Sequence, residues 1–191
     1  FPETGYTVRT EFYTFWQVHG GVFVFGYPIT KEYRSGSTGR ITQYFERARF
    51  ELVESTPPMI ALGRLGEEIL ADKQFPPTAP IANTADRRYI PETQHIIQYG
   101  FKEIWETYGS TDIFGLPLSD EFREVLPNGV SRTVQYFERA RFEYWSELPP
   151  GQRVVLSPLG RYLAPDIAKM QDEPTQPTNE WAPTPTPTPQ Q

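Results

Sequence analysis

The chain has no cysteine and only two histidines, His19 and His95. Disulfide staples and thiolate metal sites are therefore excluded, a zinc site is not expected, and no cofactor is implied. Lysine and arginine number 18 against 24 acidic residues and form no basic run. The chain thus lacks the positive face that a nucleic-acid backbone requires. No apolar stretch approaches the roughly 20 residues of a bilayer span, so none is expected. The chain starts at Phe1 rather than Met, which suggests a processed or trimmed product, with a removed signal peptide as one explanation.

What is present is repetition. Gln43-Tyr44-Phe45-Glu46-Arg47-Ala48-Arg49-Phe50-Glu51 recurs letter for letter as Gln135 to Glu143. Upstream, Phe12, Trp16, Gly20 and the run Phe25-Gly26-Tyr27-Pro28 match Phe101, Trp105, Gly109 and Phe114-Gly115-Leu116-Pro117 at an offset of 89. The nine-residue block matches at an offset of 92, so an exposed turn at Ser35–Gly39, facing Pro127–Gly129, absorbs the length change. Downstream, Leu62-Gly63-Arg64-Leu65-Gly66 answers Leu156-Ser157-Pro158-Leu159-Gly160. Self-similarity at this period marks tandem architecture. The expected division is module 1 over 1–71, a Pro-rich connector over 72–89, module 2 over 90–170 and a Pro/Thr-rich stalk or tail over 171–191. Two modules of this size could each hold a small core or share one. The alternating Pro-Thr end favours extended polyproline II and suits a display stalk on an exported protein.

Val8, Phe12, Phe15 and Trp16 lie on one face of an amphipathic helix, and Ile97, Phe101, Ile104 and Trp105 repeat it. Gly20 and Gly109 suit the left-handed residue after such helices. Ile41–Phe45 and Phe50–Val53 have strand-forming residues. Glu46–Arg49 between them reads as a tight turn, with one continuous strand as the alternative. Leu62, Leu65 and Ile69, like Leu156, Leu159 and Leu163, have helical spacing, and Ser157-Pro158 supplies an N-cap and a first-turn proline. The resulting expectation is an α+β chain of two tandem helix–hairpin–helix modules, with Trp16 and Trp105 buried.

The series Trp16…Gly20-Gly21…Phe25-Gly26-Tyr27-Pro28, a Gly-bearing turn, and Tyr44-Phe45-Glu46…Phe50 resembles the LGFP repeat of bacterial surface proteins. Phe25 and Phe114 stand where that family has Leu, and Arg47-Ala48 replaces its glycine-rich turn. The closer likeness is to the Tyr-Phe-Glu-Arg-Ala-Arg-Phe-Glu variant in secreted proteins of filamentous, Chloroflexus-like bacteria, whose four runs match residues 1–5, 25–29, 44–51 and 62–66. The resemblance covers both repeats and not the tail. It implies an exported, extracellular or cell-surface module, with a role in envelope or glycan attachment.

Phe1-Pro2-Glu3-Thr4-Gly5 has the letters of a sortase signal, but such a signal precedes an apolar segment near a C-terminus, so a helix approach is the better reading. Glu46 and Glu51, with Glu138 and Glu143, could form paired-carboxylate glycosidase centres. The neighbouring arginines would keep those carboxylates ionised, the wrong direction for a general acid. A non-enzyme is therefore expected. Glu-Arg-x-Arg reads first as a turn salt-bridge network and second as a polar recognition surface. The candidate binding residues on the second reading are Tyr44, Arg47 and Arg49, with Tyr136, Arg139 and Arg141. Tyr27, Tyr33, Tyr44 and Tyr136 are the expected exposed rings. The leading functional expectation is a non-enzymatic surface module that binds envelope glycan or a surface protein. The alternative is a structural subunit of an extracellular assembly or filament, with self-association through the repeats and the tail.

Overall fold

A computed structural model of the chain describes residues 1–126 and 128–165. The stretch expected as a stalk, 171–191, lies outside them. Most of the apolar stripe of the first copy forms α1 (Thr10–Val18) and most of that of the second forms α4 (Tyr99–Thr107), but Val8 precedes α1 and Ile97, expected on the second helix, lies in a strand. Gly20 and Gly109 follow with φ of 98° and 109°. Each ends one helix and opens a one-turn helix, α2 (Gly21–Val24) or α5 (Ser110–Ile113). A side chain at either position would be strained and would strike Val24 or Ile113.

The expected helix–hairpin–helix modules are overturned: the described residues are mostly β-sheet, with ten strands in three antiparallel sheets and six short helices. In the first copy β1 (Tyr33–Arg34), β2 (Ile41–Tyr44), β3 (Arg49–Val53) and β4 (Met59–Leu62) pair in chain order. In the second, β7 (Phe122–Val125), β8 (Ser131–Tyr136), β9 (Arg141–Tyr144) and β10 (Val154–Leu156) do the same. The hairpin around the repeated block is present in both, with Phe45 and Phe137 N–H closing each turn on the Ala48 and Ala140 carbonyls at 2.8 Å. The outer strands run two to four residues, too short for alternation to announce them.

Leu62 and Leu156, assigned by spacing to helices, end strands β4 and β10. The helices after them are only α3 (Leu65–Leu70) and α6 (Leu159–Leu163). Ser157 caps nothing; its hydroxyl bonds to Glu143 and accepts from Arg141. The third sheet pairs β5 (Arg87–Ile90) with β6 (His95–Gln98), so part of the expected connector is a strand.

Four phenylalanines pack in each copy with nearly the same geometry. Phe12, Phe25 and Phe45 meet Phe50 at 5.7, 4.8 and 4.3 Å between ring centroids. Phe101, Phe114 and Phe137 meet Phe142 at 5.8, 4.9 and 4.5 Å. The first two contacts of each set are edge-to-face and the third is tilted, and such aromatic contacts add to the burial of the rings. Both sets belong to a single hydrophobic core. Trp16 and Trp105 donate to equivalent carbonyls, Gly26 and Gly115, at 2.8 and 3.0 Å. Trp105 is buried, but Trp16 is only half-buried. The β5–β6 hairpin brings Arg88 over the Trp105 ring at 5.4 Å, whereas residues 1–9 form no strand and Trp16 meets Phe1 instead.

The copies also exchange their last helices. The N–H groups of Gly66 and Glu67 in α3 donate to the Glu138 carbonyl at 3.1 and 3.2 Å, and Arg64 reaches the Glu138 carboxylate at 2.7 Å. In return the Arg161 N–H of α6 donates to the Glu46 carbonyl at 3.1 Å, and its guanidinium pairs with the Glu46 carboxylate. Ile69 and Leu70 pack under Leu126, Val134 and Tyr136 of the second sheet, while Leu159 and Leu163 pack against Tyr44 and Tyr33 of the first. Leu65 and Leu159 are fully buried where α3 and α6 meet. Burying each leucine contributes about 1.5–3 kcal/mol. This is isologous packing within one chain, each copy giving the other what it receives.

Candidate functional site

The repeated Glu-Arg-Ala-Arg segments sit at the junction of the copies, and most of their polar groups are engaged there; the Arg139 Nε is buried without a partner. Arg47 donates to the Val22 carbonyl at 2.9 Å and, across the junction, to the Leu156 carbonyl at 3.0 Å. Arg139 donates to the Thr111 carbonyl at 2.7 Å. Glu46 also accepts from the Tyr27 N–H at 3.1 Å, as Glu138 does from the Leu116 N–H at 3.2 Å. Burial alone would raise the Glu46 carboxyl, but Arg161, the Tyr27 N–H and Arg47 hold it below its ordinary value. Between the segments lies a cavity of about 20 Å³, lined by Val24, Phe25, Arg47, Ile113, Phe114 and Arg139 among others. That is room for about one water.

Arg49 and Arg141 each anchor a larger cluster. Arg49 bonds Glu51 at 2.8 Å, Glu68 at 2.9 Å and the Tyr44 hydroxyl at 3.2 Å. Arg141 bonds Ser157 at 2.8 Å, the Tyr136 hydroxyl at 3.0 Å, Glu143 at 3.2 Å and Glu124 at 3.3 Å. Their guanidiniums lie 5.7 and 5.6 Å from the Tyr44 and Tyr136 rings. The rings expected to be exposed are not: Tyr44 and Tyr136 are buried, and Tyr27 and Tyr33 are half-buried. Burial, then the neighbouring Tyr44, pushes the Tyr33 hydroxyl up to about 12. The six candidate binding residues therefore fall into a buried cluster about Arg141, a half-buried one about Arg49, and the junction, tied to groups of the chain itself.

Gln43 and Gln135, inside the repeated block, are fully buried polar residues that the sequence reading passed over. Gln43 donates to the Thr7 and Thr30 carbonyls, both at 2.9 Å, and Gln135 to those of Ile96 and Ser119 at 2.7 and 2.8 Å. Each amide clips the segment entering its copy to the loop after Gly-x-Pro. The available signal was a glutamine repeated among strand-forming residues in both copies, since a polar group on a buried strand needs partners.

The exposed rings lie elsewhere: Tyr13 and Phe23 in the first copy, at 41% and 40%, and Tyr99, Tyr144 and Tyr162 in the second. Tyr99 is 67% exposed and held at φ 49°, and Tyr144 is 38% exposed. With Gln98, Gly100, Phe101, Glu121 and Thr133 they line an open cleft of about 330 Å³. Burial, with the adjacent Asp120, pushes the Glu121 carboxyl up to about 7. Beyond Tyr99 the cleft adjoins a second hollow that carries Asp86, Glu103 and Glu106. Gln98, Tyr99, Gly100, Thr133 and Tyr144 differ from their counterparts in the first copy, so a search for repeated letters passes over them.

No helix among the described residues is long and apolar enough to cross a membrane. Comparison of the chain with models of known families and with curated proteins finds no match in either.

Proposed function

We propose that the chain is a non-enzymatic, exported cell-surface module that binds envelope glycan or an envelope protein and is displayed on its Pro/Thr-rich end. The observation that carries this reading is a division of labour between the copies. Residues identical in both, from Gln43 to Glu51 and Gln135 to Glu143, hold the fold together. Residues that differ, among them Tyr99, Gly100 and Tyr144, line an open aromatic cleft on the second copy. A duplicated scaffold with one divergent, concave, partly aromatic face is what a binding module needs. The carboxylates that could have served hydrolysis are held in ion pairs, with Arg40 and Arg49 on Glu51 and Arg161 on Glu46. The extracellular setting rests on the tail composition and the LGFP-like resemblance.

The test is retention of the purified chain on isolated cell-envelope material, with reducing-sugar release measured in parallel. Saturable retention without sugar release is expected. Turnover of peptidoglycan or polysaccharide that is lost in Glu46→Gln or Glu138→Gln would overturn the reading. The alternative, a subunit of an extracellular assembly, draws support from edge strand β7, where Val125 is 69% exposed. Light scattering separates the two: a module stays at its monomer mass, and an assembling subunit grows with concentration.

A further inference from the structure

The duplication supplies an internal reference for the aromatic cleft. In the first copy the position matching Gln98 is Arg9, and that matching Glu121 is Glu32. Arg9 lies across its own copy's version of the cleft. Its guanidinium sits 5.9 Å from the Phe12 ring, its Nε is 3.5 Å from Glu32 and 3.8 Å from Glu11, and its backbone N–H donates to Glu32 at 3.1 Å. The arrangement is a guanidinium between an aromatic face and carboxylates, a combination suited to a partly desolvated cation.

In the second copy Phe101 and Glu121 keep the aromatic floor and the carboxylate, and the cation is gone. Gln98 is shorter and neutral, and it pairs with Arg87 across the β5–β6 ladder. Gly100 replaces Glu11 and removes a side chain from the wall. Tyr99 and Tyr144 replace Thr10 and Leu52 and add two rings at the rim. Glu121 has no cation within ion-pair distance among the described residues, and burial and Asp120 are what shift it. A half-buried carboxylate left without a cation beside three aromatic rings favours a ligand that brings the positive charge.

We infer that the cleft of Tyr99, Phe101, Glu121 and Tyr144 receives the guanidinium of an arginine side chain carried by a partner polypeptide, in place of the Arg9 that fills the first copy. The adjoining hollow carries Asp86 and Glu103 together with Lys102, whose charge is matched by Glu106, and so extends a net acidic surface along which such a segment would run. This goes beyond the binding role proposed above and holds wherever the chain resides.

The test uses the full chain, labelled for amide NMR, and two probes: acetyl-Gly-Arg-Gly-amide and its citrulline counterpart, which keeps the shape and loses the charge. The arginine peptide should shift the amides of Tyr99, Gly100, Glu121 and Thr133 saturably, with the citrulline peptide at least ten-fold weaker. Glu121→Gln removes the charge, and Gln98→Arg refills the cleft as Arg9 does; each should reduce arginine binding at least ten-fold while the remaining spectrum stays native. Equal response to both peptides would overturn the inference. So would wild-type binding by either variant, or saturation of the same amides by an N-acetylglucosamine oligosaccharide with no response to arginine.

Discussion

The exchange of α3 and α6 makes a demanding prediction at Gly66. A Cβ added there would lie well inside contact distance of the Phe137 carbonyl oxygen, with the Ala140 carbonyl at 3.1 Å behind it. Both obstacles are backbone in a tight turn, so neither can rotate away. Gly66→Ala must therefore lift the start of α3 off the turn. That weakens the Gly66 and Glu67 N–H bonds to Glu138, exposes part of the fully buried Leu65 and stretches the Arg64–Glu138 pair. Two backbone bonds contribute about 0.5–1.5 kcal/mol each, and partial exposure of a core leucine costs about 1–2. The expected loss is about 2–5 kcal/mol before the better helix propensity of alanine offsets up to about 1 of it. Urea unfolding followed by tryptophan fluorescence measures it. Gly36→Ala, where nothing lies within 4 Å, is the control and should stay within about 0.5 kcal/mol of wild type. If Gly66→Ala matched that control, the reciprocal packing of the copies would be refuted. Gly160 meets the Phe45 carbonyl in the same way and should respond alike.

Arg141→Ala should destabilise by about 2–4 kcal/mol and Arg49→Ala by about 1–2, because the first side chain is 4% exposed and the second 18%. Equal losses in thermal melts would contradict the ranking. Glu121 supplies a pH signature. Its folded pKa of about 7 lies above the ordinary 4.5, so the stability it allows is complete at pH 4 and is lost as pH rises through 7. Glu121→Gln should thus leave stability unchanged at pH 4 and raise it at pH 8 by about 1–2 kcal/mol, allowing for solvent screening of this part-exposed group. A gain of the same size at both pH values would exclude Glu121 as its source. Residues 1–74 expressed alone should pair with a second copy of themselves or fail to fold, since α3 would lack the sheet it covers. A stable, folded monomer in sedimentation equilibrium would count against the exchanged packing.

The sequence by itself determined the duplication, the two long helices with their left-handed glycines, and the hairpin at the repeated block. Each is a local feature: a 3.6-residue stripe at Phe12–Trp16, a Cβ-free residue at Gly20, strand formers flanking Glu46–Arg49. Its Glu-Arg-x-Arg letters also suggested a salt-bridge network at the turn, whereas Arg49 and Arg141 open strands and pair with Glu51 and Glu143 two residues on. Only the tertiary structure decided the rest. Met59–Leu62 and Val154–Leu156 are too short for their period to reveal strand or helix, and they become strands because β3 and β9 offer an open edge. Whether the copies hold separate cores or one could not be read from either copy alone. Leu65-Gly66 and Leu159-Gly160 have the same letters whether their helices cover their own sheet or the other. The carbonyls of Phe137 and Phe45, which require those glycines, lie more than seventy residues away. The open cleft was hidden for the opposite reason. Repetition draws attention to what the copies share, and the cleft exists only where Gln98 and Gly100 replace Arg9 and Glu11 and folding gathers Tyr99, Glu121 and Tyr144 around the space they leave.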